Sequence, residues 1–396
     1  MKSKHLSVLA FLFFQILLFS ESFEFSFDTF NLSQEDRKDI IKMEKTFCGN
    51  NPGAPNLPVK VVYFIVPFGK DVKKISCSSE QFILEGEYDI SPVVSEYPTS
   101  EIIYPTEKNT VIYSKNQFYP VEKYRKIGVQ RKNGVDVLII QLFPFQYNPV
   151  TRKLIHHKKM GLNVEFAQNS YREEEQIQKL LNYEKLSEIF SSNRSKNKFM
   201  NQDALSSYQG KSRYWKNSRT SLVSSDDPYD YIIITNQILE NEWLELVTQK
   251  ESYGLNVNIY TTEDIYANYT GSDNPEKIRN FIIDAYDTWS GTANPLQWIL
   301  LGGDSNIVTA RSVRCHGYWS SSWHYYSMYT DNYYAGLDGD WNNDADSYFG
   351  EGDNDQVPDD FPETWILGTS GEEADWFFEV NIGRAILEDA SEIDNW

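Results

Sequence analysis

The sequence predicts a multidomain protein in which an all-β, sandwich-like region precedes an α/β region built on a parallel, doubly wound sheet. Two observations carry this. From Val59 to Phe166 short apolar runs alternate with turn residues, the pattern of stacked antiparallel strands. From Tyr229 onward, buried strand patterns alternate with helical ones, as in parallel strands joined by crossover helices. Between the two, Ser, Asn, Lys and Arg dominate and little is left to bury.

The elements follow in order. Lys2 and Lys4 precede the apolar run Leu6–Phe19, and Ser20-Glu21-Ser22 offers a small-x-small cleavage site. Residues 1–22 therefore read as a secretory signal, too short to cross a bilayer comfortably and followed at once by Glu24 and Asp28. The β-rich region covers 23–169. It opens with a short polar helix around Ser33–Lys45, followed by strands over Lys60–Val66, Gln81–Leu84, Val137–Leu142 and Leu162–Phe166. The unbroken apolar run Val137-Leu138-Ile139-Ile140 predicts a strand covered on both faces. Residues 170–226 form a helix, Glu173–Phe190, and a basic linker whose Lys and Arg residues are natural sites for a trypsin-like cut.

The third segment, 227–396, begins with the strand Tyr231–Thr235. A helix follows over Glu240–Tyr253, stopped by Gly254, and then the strand Val257–Tyr260. Asn274-Pro275-Glu276 opens a helix with a cap and a proline in its first turn. The strand Gln297–Leu301 runs into Gly302-Gly303-Asp304, and Phe377–Ile382 runs into Gly383-Arg384. In such a sheet the site is expected at the carboxyl ends of the strands. Leu387–Trp396 reads as the start of a helix without a stop, as in a piece of a longer reading frame.

Net charge is −20, with acids crowded from Asp331 to Asp375. That balance excludes a general phosphate-binding surface. Three cysteines are too few for a disulfide framework; Cys48 and Cys77 are candidates to pair, leaving Cys315. The carboxylates point to a hard cation. Asp304 stands at a strand end, and Asp375-x-Phe377-x-Glu379 on a strand would aim three ligands one way, Phe377 through its carbonyl. Asp338, Asp340, Asn342 and Asp344 recur at every second position, like the start of an EF-hand loop. That loop departs from the pattern, with glycine in second place and no clear twelfth-position Glu.

Four segments in a fixed order carry a family resemblance: Tyr231–Thr235; Ile299-Leu300-Leu301-Gly302-Gly303-Asp304; Asp331–Asn342; and Glu379-Val380-Asn381-Ile382-Gly383-Arg384. Together they resemble the opening part of the gingipain-type cysteine peptidases. Upstream, Leu57-Pro58, Val66-Pro67 and Phe145-Gln146-Tyr147-Asn148-Pro149 resemble the pro-region of that family. The resemblance implies a secreted endopeptidase precursor with a caspase-like α/β fold and a Cys–His dyad. It also implies protein or peptide substrates for the complete enzyme and a pro-region acting as intramolecular inhibitor. No nucleic acid is implied, nor any membrane once the signal is removed. The family's His-Gly and nucleophilic Cys follow the strands visible here, so no catalytic residue transfers and this chain alone is expected to be inactive. Positions matching Asp304, Asp375, Phe377 and Glu379, with a backbone ligand matching Glu372, bind structural calcium in gingipains. Cys315-His316-Gly317 mimics a dyad, but neighbours on an extended segment point apart, and the pair reads as an ordinary loop. A second reading is a secreted calcium-dependent adhesin or carbohydrate-binding module, presented by the Tyr- and Trp-rich insertion.

Overall fold

The structure is a computed structural model; it describes residues 19–35, 37–47, 52–94, 107–181, 183–191, 199–211, 222–319, 322–342, 345, 347–350, 374–375 and 377–395. The N-terminal region carries β1 (Phe19–Ser26), β2 (Asn31–Glu35), β3 (Lys38–Lys42), β4 (Lys60–Ile65) and β5 (Lys70–Ile83). These are followed by α1 (Thr110–Ser114), β6 (Tyr124–Lys132), β7 (Val135–Leu142), β8 (Phe145–Asn148) and β9 (Lys153–Gln168). One sheet runs β1-β9-β5 with β8 also on β9; a second runs β4-β7-β6. All of their pairings are antiparallel.

Strand β7 explains how the layers hold. Every one of its residues is buried. Leu138, Ile140 and Leu142 join Val62 and Phe64 of β4 and Leu162, Val164 and Phe166 of β9 in one core. Val135, Val137 and Ile139 face the other way, onto Leu180, Leu181, Leu186 and Phe190. Period-2 alternation thus feeds two cores from one strand, and each such buried side chain contributes about 1.5–3 kcal/mol. The second core comes from α2 (Ser170–Lys179), α3 (Tyr183–Ser191) and the 3₁₀ turn Gln202–Tyr208. The single helix expected over Glu173–Phe190 is therefore two helices. Leu180, with extended φ and ψ, breaks it and lets both leucines bury.

The helix expected at Ser33–Lys45 is the hairpin β2–β3. Asp39 and Ile41 are buried, and an Asp39 carboxylate oxygen accepts the Asp89 amide at 2.6 Å. Tertiary pairing overrides the helix-forming composition. Strand β1 begins at Phe19, inside the segment expected to be cleaved, so a cut after Ser22 leaves Phe23–Ser26 to hold β9. Cys77 is a free, half-buried thiol; Cys48 lies outside the described residues. Within the described residues, no helix is long and apolar enough to cross a membrane.

The C-terminal region is built on β10 (Tyr231–Thr235), α4 (Leu244–Ser252), β11 (Val257–Thr261), α5 (Thr262–Asn268), α6 (Asn274–Trp289) and β12 (Trp298–Gly302). After these come β13 (Arg311–Trp319), β14 (Ser322–Thr330) and β15 (Asn381–Ala385). Strands β11-β10-β12-β15 form a parallel sheet in that order. Ile232 and Ile234 face α6 through Ile278, Phe281 and Ile282. Ile233 faces Trp243 and Val257 on the opposite side. Asp273 caps α6, accepting the Glu276 amide at 3.0 Å. The insertion that carries Cys315 and His316 is not a loop but the hairpin β13–β14, where the two are neighbours on one strand.

Candidate metal centre

The parallel register decides which acids can meet. Asn381 opens β15 opposite Trp298, the first residue of β12. Residues just before β15 therefore lie at the amino ends of the strands. Asp304 lies at the carboxyl end, where its amide donates to the Leu387 carbonyl at 2.9 Å. β12 is five residues long, so roughly 16 Å of strand separates the two ends. Asp304 turns inward on its own loop, its carboxylate accepting the Asn306 amide at 2.8 Å and side chain at 3.1 Å.

At the amino end, carboxylate oxygens of Asp338, Asp375 and Glu379 all lie within 4.8 Å of one another. Two of the acids come from the set read before the last strand and one from the Asp338–Asp346 loop. Residues 377–380 form bends rather than the expected strand, which starts at Asn381. Asp340 is exposed and accepts the Asn342 amide at 3.1 Å. Asp344 and Glu372 lie outside the described residues.

The cluster is held from three sides. Asp375 is 5% exposed, with one oxygen accepting the Phe377 amide at 3.0 Å and the other the Gly339 amide at 3.2 Å. A Cβ at position 339 would come within 2.5 Å of the Asp375 Cβ, so only glycine admits this approach. Arg279 of α6 fixes the loop from below. Its guanidinium donates to the carbonyls of Tyr333 at 3.0 Å, Gly336 at 2.7 Å and Gly339 at 2.8 Å.

The third side comes from the N-terminal region. Strands β6 and β7 are joined by Asn133-Gly134, both at positive φ (53° and 82°), as a two-residue hairpin turn demands. The Asn133 amide donates to one Glu379 oxygen at 3.2 Å, and the Leu337 amide donates to the other at 2.8 Å. The Asn133 side chain, in a residue 1% exposed, donates to the Tyr286 hydroxyl at 2.7 Å and the Glu379 carbonyl at 3.3 Å. Lys132 donates to the Phe378 carbonyl at 2.5 Å. Phe377, 4% exposed, packs into the core around β7 with its ring 5.9 Å from Tyr63.

Like charges this close repel by about 3 kcal/mol per pair at an effective dielectric near 20. Burial first, then the Asp375 charge, pushes the Glu379 carboxyl up to about 8, against the pull of the Leu337 and Asn133 amides and Lys132. Burial also raises Asp375, opposed by the Phe377 and Gly339 amides and Arg279. Lys132 is lowered by burial and raised by all three acids. Two ligands of one calcium ion, each about 2.4 Å from it, lie at most about 4.8 Å apart. Three carboxylates in that range, beside backbone carbonyls, form a donor set that suits a hard cation.

Sequence reasoning missed Lys132, Asn133 and Arg279. It also missed what Asp331 and Arg384 do: Arg384 grips the Asp331 carboxylate with two nitrogens, at 2.6 and 2.9 Å, and donates to the Gly303 and Val308 carbonyls. The Asn-Gly pair was the available signal for the hairpin.

The propeptide profile of family C25 matches residues 22–198, and the profile of peptidase family C25 matches residues 224–396. No curated protein matches the chain. Among solved structures, one on the zymogenic latency of gingipain K from Porphyromonas gingivalis is 18% identical, covering 38% of this chain and 87% of that one, with a TM-score of 0.34. A complex of the RgpB pro- and mature domains from the same organism is 19% identical, covering 47% and 92%, with a TM-score of 0.36. Dimeric latent PorU, also from that organism, is 12% identical, covering 95% of this chain and 37% of its own, with a TM-score of 0.28.

Proposed function

Because the chain belongs to peptidase family C25, matched by the profiles of the family's propeptide and of its peptidase, we propose that it is the precursor of a secreted, gingipain-type cysteine endopeptidase. In this reading the β-rich region is a sandwich that acts as an intramolecular inhibitor, and the α/β region is the first part of a caspase-like domain. The chemistry in this reading is that of a Cys–His dyad. A thiolate nucleophile needs a base within hydrogen-bond reach. The observation that carries the reading is the Asn133 hairpin seated against Glu379 and Tyr286, which joins propeptide to peptidase through buried polar contacts. Calcium is the structural ion we assign to Asp338, Asp375 and Glu379. The adhesin reading has no such support.

The test is proteolysis by protein made from the reading frame extended past Trp396. Casein hydrolysis should be absent before cleavage of the linker within residues 193–219, and should then appear and be abolished by iodoacetamide. Hydrolysis insensitive to thiol alkylation, or none after cleavage, removes the peptidase assignment.

A further inference from the structure

We propose that residues 199–211 are a plug for the propeptide, completing the free edge of β4 and the core behind it. A chain cut before residue 199 then still holds the peptidase region, and separation needs a cut on the carboxyl side of Lys211. The propeptide profile stops at residue 198 and the peptidase profile starts at residue 224, so neither claims this segment. The inference rests on the precursor reading for what separation accomplishes, the end of latency.

Strand β4 is at the edge of its sheet, paired on one side with β7. Residues 199–201 take its other side. Phe199 bridges Tyr63 in parallel, and the Met200 amide donates to the Tyr63 carbonyl at 2.9 Å. Asn201, 4% exposed, then pairs with Ile65 through its side chain. Its Oδ1 accepts the Ile65 amide at 2.8 Å, and its Nδ2 donates to the Ile65 carbonyl at 2.9 Å. An added strand meets a sheet edge in this way, here with one carboxamide standing in for a peptide group. The 3₁₀ turn Gln202–Tyr208 follows and buries Leu205 and Tyr208 in the core with Leu186 and Phe190 of α3. The Tyr208 hydroxyl donates to the Val66 carbonyl at 2.8 Å and accepts from the Gln176 side chain at 2.9 Å. The Ser207 hydroxyl accepts the Phe68 amide at 2.9 Å. Lys211 ends the segment, its ammonium 4.6 Å from the centre of the Phe68 ring and 3.8 Å from the Glu173 carboxylate. All of these partners lie in the propeptide. A cut before residue 199 therefore leaves every one of these contacts in place, with the peptidase region joined to them through Lys211. Such a second point of attachment raises the overall hold by about 10²–10⁴.

The test uses two versions of the full chain. In each, the recognition sequence of a site-specific protease is written over residues 192–198 (early cut) or over residues 212–218 (late cut). After cutting, the propeptide is held on a sensor surface by a tag at its amino end, and loss of the peptidase fragment is followed in urea. At the urea concentration where the late-cut fragment leaves within minutes, the early-cut fragment should leave at least about a hundredfold more slowly. Tyr208→Phe removes the hydroxyl bonded to Val66 and Gln176, and Asn201→Ala frees the Ile65 backbone. Each should speed loss from the early-cut chain by about tenfold. Each should act less on the late-cut chain, where the plug stays covalently with the propeptide. Equal rates for the two cuts overturn the proposal, and so do variant effects of the same size in both. Retention is read without catalysis, so a failed casein assay removes the peptidase reading and leaves the plug standing.

Discussion

Replacing Asn133 should unfold part of the molecule that Asn133 does not belong to. Asn133→Gly keeps the turn, since glycine tolerates the φ of 53°, but deletes the side-chain bonds to the Tyr286 hydroxyl at 2.7 Å and the Glu379 carbonyl at 3.3 Å. Each such bond contributes about 1 kcal/mol net, so the loss should be about 2 kcal/mol. Asn133→Ala deletes the same bonds and adds a left-handed penalty of about 1 kcal/mol, for about 3 kcal/mol in all. Nine of the ten tryptophans lie at or beyond Trp243, in the C-terminal region, and the tenth is Trp215 of the linker, so tryptophan fluorescence during urea unfolding reports chiefly the C-terminal region. Both variants should lower that midpoint, alanine more than glycine. Combining Asn133→Gly with Tyr286→Phe should reveal a coupling of about 1 kcal/mol. A tryptophan midpoint unmoved by either Asn133 variant, or zero coupling, would refute the contact.

Phe377→Ala removes a ring buried in the propeptide core but keeps its carbonyl; it should cost about 3–5 kcal/mol and shift the tryptophan-monitored midpoint. Arg384→Lys loses the two-pronged grip on Asp331 and the contacts to Gly303 and Val308, and should cost about 2 kcal/mol in thermal unfolding. His157, wholly buried between Ser79 and Gln146, is depressed to about 4, chiefly by burial. The unfolded state therefore binds the proton first, and stability falls as pH drops from about 6.5 to about 4, by up to about 3 kcal/mol. His157→Gln should flatten that slope in pH-dependent urea titrations.

Much of the fold was legible because period and composition agreed. The run Val137–Ile140 announced a doubly covered strand, and β7 feeds two cores. Asn274-Pro275-Glu276 announced the start of α6. Ser33–Lys45 was not legible, because its charged residues favour helix and only the pairing of Asp39 with the Asp89–Ile90 backbone makes it strand. The acid site was half legible. Asp375 and Glu379 stood out, but sequence proximity to strand ends does not say which end of the sheet. Parallel pairing carried Asp304 away and brought Asp338 in. Lys132 and Asn133 were invisible as site residues because their partners lie some 246 positions further on.

The central claim is that the propeptide is seated on the peptidase region through the Lys132-Asn133 hairpin. Lysine footprinting of the full chain tests it most directly, by acetylation rates and zero-length carbodiimide crosslinking read by mass spectrometry. Lys132 should acetylate far more slowly than the exposed Lys115, and a crosslinked peptide should join Lys132 to Asp375 or Glu379. Acetylation of Lys132 as fast as that of Lys115, with no such crosslink, would contradict the account.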